Sequence, residues 1–113
     1  MQAETQAHIE TIKTAIDLLR KHVDFDAASA RLAELEKLSA GGDFWNDQTA
    51  AQEAMREKNR LQRQVTMITD LQTEMDDAAE LIELGEMEGD ADVVAEAEEV
   101  IAALVTVAEK RQL

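Results

Sequence analysis

The chain has no cysteine, no proline and no tyrosine, and its 113 residues include one tryptophan, two phenylalanines and four glycines. Without cysteine, neither a disulfide framework nor a thiolate metal site can form, which fits a reducing compartment. No apolar run approaches the roughly 20 residues that a membrane span needs. The start, Met1-Gln2-Ala3-Glu4, lacks the basic-then-apolar plan of a signal peptide. These absences lead us to expect a soluble, cytoplasmic protein with no membrane partner.

One sign of charge is also scarce. Residues 64–109 contain no lysine, arginine or histidine, and the whole chain carries −14 from 25 acidic and 11 basic residues. Such a surface repels phosphate, which argues against direct nucleic-acid binding by this acidic half. Arg56, Lys58, Arg60 and Arg63 alternate with Glu53 and Glu57, a spacing that predicts a salt-bridged helix face.

What remains is rich in Ala, Leu, Glu, Gln, Met and Arg, a helical composition in a chain of one-domain length. Residues 5–22 place Ile9, Ile12, Ile16, Leu19 and Val23 on one stripe of a helix. Asp24 or Asp26 is suited to cap a second helix, stapled by Phe25 and ending near Ser39, with Ala28, Leu32, Leu35 and Leu38 inward. The stretch Gly41-Gly42-Asp43-Phe44-Trp45-Asn46-Asp47 then breaks the pattern. We read it as the joint of the fold: glycines at positive φ end one helix, Asn46 or Asp47 caps the next, and Phe44 and Trp45 are buried as its anchor.

The longest segment follows, residues 48–84, without a glycine and with Ala51, Ala54, Leu61, Val65, Ile68, Leu71, Met75, Ala78 and Ile82 in near-heptad rhythm. As one helix it reaches on the order of 55 Å, so two partners placed end to end are needed to cover it. Gly85 to Asp90 predicts a reversal, with Gly89 in the left-handed position and Asp90 capping the helix that follows. A last helix over residues 91–111 turns Val94, Ala97, Ile101, Leu104 and Ala108 inward, with Val93, Val100, Val105 and Val107 widening the stripe. We expect it along the second half of the long helix, which leaves the first half to the two N-terminal helices. The predicted fold is all-α, an antiparallel helical bundle or long helical hairpin of about four helices in a single domain, residues 1–113.

No nucleophile–base pair, metal-ligand set or phosphate cradle is present, so we expect no enzyme active site, no catalytic residue, no metal and no cofactor. His8 and His22 stand too far apart in register to share a ligand. Recognition by surface remains: an acidic outer face suits a basic protein patch. The alternative is a free-standing coiled-coil scaffold or adaptor that dimerises through the long helix.

Particular residues carry a family likeness. Asp26 followed by Arg31-Leu32-Ala33-Glu34-Leu35, then Asp43-Phe44-Trp45-Asn46-Asp47 with Ala50 and Ala51, then Leu81-Ile82-Glu83-Leu84, resembles the N-terminal domain of the bacterial peptide chain release factor 2 family. The likeness covers nearly the whole chain, and the aromatic-Trp-Asn-acid element is its most specific part. Members commonly carry proline where Gly42 and Gln48 stand here. The resemblance implies an intact protein that directs peptide release at UGA and UAA, with codon reading by a Ser-Pro-Phe tripeptide and hydrolysis by a Gly-Gly-Gln loop, neither of which occurs in this sequence. For the residues present it implies a non-catalytic module that docks on the ribosome. Its partners would be the GTPase-associated region around ribosomal protein L11 and, in functional interplay, the class II release factor. Candidate contacts are Glu86, Glu88, Asp90 and Asp92 on the distal turn, with Phe44, Trp45, Asn46 and Asp47 as the structural joint.

Overall fold

The computed structural model describes Met1–Leu113 throughout, and its elements are all helical. They are α1 (Ala3–Val23), α2 (Phe25–Ser39), a single 3-10 turn (Phe44–Asn46), α3 (Gln48–Glu88, 41 residues) and α4 (Ala91–Arg111). The chain divides into two compact units: Met1–Leu19 with Ile68–Leu113, and Arg20–Met67. We call these unit 1 and unit 2.

Unit 1 is three-helical. Ile12, Ala15, Ile16 and Leu19 of α1, Ile68, Leu71, Met75, Ala78 and Ile82 of α3, and Ala97, Ile101, Leu104 and Ala108 of α4 are all buried. Full burial of an Ile, Leu or Met side chain stabilises by about 1.5–3 kcal/mol. The placement of α1 here corrects the sequence reading, which put it beside the first half of α3. Two amphipathic helices packed as a pair leave one side of each stripe open, and the α1 stripe fills that opening. Polar contacts pin its start: the Thr5 hydroxyl donates to Glu98 Oε2 at 2.8 Å, and the Gln2 N–H donates to the same oxygen at 3.3 Å.

The reversal between α3 and α4 is shorter than expected. Gly85 does not end the helix; α3 runs on to Glu88, and only Gly89 leaves helical geometry, at φ 67°. The Asp90 N–H reaches back to the Gly85 carbonyl at 2.8 Å and the Gly89 N–H to the Glu86 carbonyl at 3.3 Å, the paired bonds of a Schellman ending. The Asp90 carboxylate then accepts from the Val93 N–H at 3.2 Å and starts α4.

In unit 2, Ala28, Leu32 and Leu35 of α2 pack with Leu61 of α3, flanked by Ala54 and Val65. Leu38, expected inward, is half exposed because α2 closes one residue after it. Asp24 takes the cap position before α2 in left-handed backbone (φ 52°), without a side-chain cap bond; its carbonyl accepts from the Ala28 N–H at 2.8 Å. Phe25 is therefore the first helical residue and no staple forms. Its ring lies under the Arg20 guanidinium, 4.0 Å from carbon to centroid, a cation–π contact.

Candidate docking surface

Charge is divided unevenly. Unit 1 holds seventeen acidic against three basic residues, unit 2 eight against eight, so the whole −14 resides in unit 1. The distal turn is part of that acidic unit. Glu86 pairs with the Met1 ammonium, and Asp90 is engaged as the cap of α4. Glu88 and Asp92 are exposed, and neither makes an ion pair or side-chain hydrogen bond. The four candidate contacts thus separate into two with a local structural partner and two whose carboxylates face solvent.

The joint between α2 and α3 is less buried than the sequence reading held. Trp45 is 55% exposed and Phe44 only half-buried. The two rings pack edge-to-face on each other, 5.0 Å between centroids at 87°. The reason is local: Phe44–Asn46 form one tight 3-10 turn, tied by the Asn46 N–H to the Asp43 carbonyl at 3.1 Å. Adjacent residues of a 3-10 turn stand about 120° apart around its axis, so the two side chains leave the backbone in different directions. Neither Gly41 nor Gly42 takes positive φ. Of the two candidate caps it is Asp47 that serves α3, its carboxylate accepting from the Ala50 N–H at 3.1 Å.

The expected salt-bridged face on α3 is mostly absent. Glu57 pairs not with its own helix but with Arg31 of α2, whose Nε and Nη2 each donate to it at 2.8 Å, while Arg31 Nη1 donates to Glu34 at 2.9 Å. The Arg31 hydrogen bonds hold the Glu57 carboxyl below the usual carboxylate range and raise the Arg31 guanidinium further. A planar fork meeting a carboxylate in two parallel bonds is geometrically better than the single i,i+3 or i,i+4 contact that Arg60 offers.

One surface was missed by sequence reasoning. Leu81 and Val100 are each 44% exposed and Val107 38%, and they line a groove of about 470 Å³ with Ala78, Ala97, Ala103 and Leu104. Val100 and Val107 were read as widening a buried stripe. The signal was present: the apolar stripe of α4 is broader than contact with two neighbouring helices uses.

Residues 28–113 match the PCRF domain, and the chain belongs to the family defined by that domain. Along its whole length it is similar to the N-terminal region of peptide chain release factor 2. The protein of that name from Paramagnetospirillum magneticum is 44% identical over 113 residues, 100% of this chain and 30% of the relative. The one from Roseobacter denitrificans is 42% identical over 113 residues, again 30% of the relative. That from Rickettsia bellii is 41% identical over 90 residues, 80% of this chain and 24% of the relative. The chain therefore spans less than a third of the length of these relatives. No helix is long and apolar enough to cross a membrane.

Proposed function

We propose that these 113 residues act as one domain, the ribosome-docking N-terminal domain of a peptide chain release factor 2, in a protein that ends translation at UGA and UAA in the cytoplasm. The observation that carries this reading is the 44% identity over every residue of the chain to a protein of that name. The domain is non-catalytic, because release depends on a Gly-Gly-Gln loop that this sequence does not contain. Its docking partner is the GTPase-associated region around ribosomal protein L11, with functional interplay with the class II release factor. The −14 of unit 1 supports a basic protein contact in preference to RNA, since complementary charge speeds and orients association. Contacts belong at Glu86, Glu88, Asp90 and Asp92, chiefly at Glu88 and Asp92.

The test is competition. The 113-residue chain is added in excess to ribosomes stalled at UGA together with a complete release factor 2, and peptide release and cosedimentation are followed. We expect the chain to pellet with ribosomes, to pellet less with ribosomes lacking protein L11, and to slow release by the complete factor while releasing nothing itself. Peptide release by this chain alone would overturn its non-catalytic role, and failure to pellet would overturn docking.

A further inference from the structure

We propose that the groove between α3 and α4 is the seat of a cationic amphipathic helix from a partner protein; this rests on the docking reading above and names the site and the partner's chemistry. The floor and walls are apolar: Ala78, Ala97 and Ala103 are small enough to let a helix approach closely, and Leu81, Val100 and Val107 stand exposed around them. Leaving large aliphatic side chains of one face in water is unfavourable by roughly 25 cal/mol per Å² of apolar surface, so a complementary apolar stripe gains by covering them. The lining runs over three turns of α4, from Ala97 to Val107. An occupant of about 10–12 residues with apolar anchors at i, i+3 or i+4, and i+7 fits that length.

Charge selects among occupants. Glu74 and Asp77 line the α3 edge of the groove, and no lysine, arginine or histidine occurs between residues 64 and 109. An acidic helix would bring like charges together, and a second copy of this chain would bring a second unit 1 with the same −14. A helix flanked by Lys or Arg offsets that repulsion while its apolar face fills the groove.

The experiment uses the 113-residue chain and a fluorescein-labelled Leu/Lys peptide of about 18 residues in heptad amphipathic order, long enough to form a helix. Two comparison peptides are a scrambled isomer and a Leu/Glu counterpart. Ala103→Arg fills the exposed groove wall and adds one positive charge there, whereas Thr14→Arg makes the same charge change on an exposed face of α1. We expect the scrambled isomer to bind roughly tenfold more weakly or worse, A103R to lose roughly tenfold, and T14R to lose about twofold or less. Helicity by circular dichroism checks that A103R is folded, and Leu81→Gln, at a half-exposed position, repeats the test if it is not.

Equal binding of ordered and scrambled peptides, or equal losses in A103R and T14R, would mean bulk charge attraction and overturn the proposal. A concentration-dependent doubling of mass abolished by A103R would overturn it in favour of a second copy. Ribosome cosedimentation is scored separately. A chain that pellets with ribosomes but does not discriminate the peptides has lost the groove and kept docking, and the converse result has lost docking and kept the groove.

Discussion

Gly85 and Val94 touch where α4 turns back on α3: a Cβ placed on Gly85 would lie 2.8 Å from Val94 Cγ2, and also 3.2 Å from Val93 Cγ1 and 3.3 Å from the Asp90 carbonyl. Gly85 is therefore kept inside a helix despite its poor propensity there, for close approach and not for backbone freedom. On propensity alone Gly85→Ala gains about 1 kcal/mol. The valines are stiff at χ1 and cannot swing aside freely, so we expect a net loss of about 1–3 kcal/mol from overpacking. Urea melts of G85A, V94A and the double variant check this. The double variant should recover part of the G85A loss, because residues in contact do not behave additively.

Burial ranks the costs of truncation. Ile101 is fully buried and Trp45 is 55% exposed. Ile101→Ala should cost about 2–5 kcal/mol. Trp45→Ala should cost less than about 1 kcal/mol although it removes a larger side chain, since the cavity component is absent for an open site. Denaturation followed by circular dichroism gives both values.

The Arg31–Glu57 pair makes a prediction about acid. Arg31 depresses the Glu57 carboxyl, so the pair stabilises the fold above the unfolded-state value and loses that contribution as pH falls through the lower folded-state value. Between about pH 5 and about pH 3 the urea midpoint of the natural chain should fall more than that of Glu57→Gln. Both side chains are partly exposed, so salt screens the pair and the difference should shrink in concentrated NaCl.

Carboxylates of the distal turn should separate by role. Asp90→Ala removes the cap of α4 and should cost about 1 kcal/mol. Glu88→Gln removes a negative charge from the last residue of α3, where the helix dipole disfavours it, and should be neutral or stabilising by about 0.3 kcal/mol. Thermal melts of the two variants measure this. A docking defect in E88Q would therefore report contact, while one in D90A would first have to be compared with its melt.

Much of this fold was legible in the sequence because its helices are regular. Of the inward positions of α3 read from the heptad rhythm, Ala51, Leu61, Ile68, Leu71, Met75, Ala78 and Ile82 are buried, while Ala54 and Val65 are only partly so. Periodicity states which face of a helix is covered but not by which partner, and so α1 was assigned to the wrong half of α3. The turn chemistry read correctly at Gly89 and Asp90 and wrongly at Gly85, since a glycine kept for contact looks the same as one kept for φ until its neighbours are known. Of the candidate site, the acidic bias was plain from composition. The groove was not, because exposed Val100 and Val107 repeat at the same seven-residue spacing as buried Ile101 and Ala108.

The exposed indole at the joint has a practical consequence. Trp45 is the chain's only tryptophan and there is no tyrosine, so near-ultraviolet emission comes from this single ring at the edge of unit 2. Because the ring is already more than half in water, its emission maximum should lie far to the red in the folded protein and shift little on unfolding. Intrinsic fluorescence will thus be nearly silent to the loss of the Ile12, Met75 and Ile101 core, and a flat trace from this protein is no sign of stability.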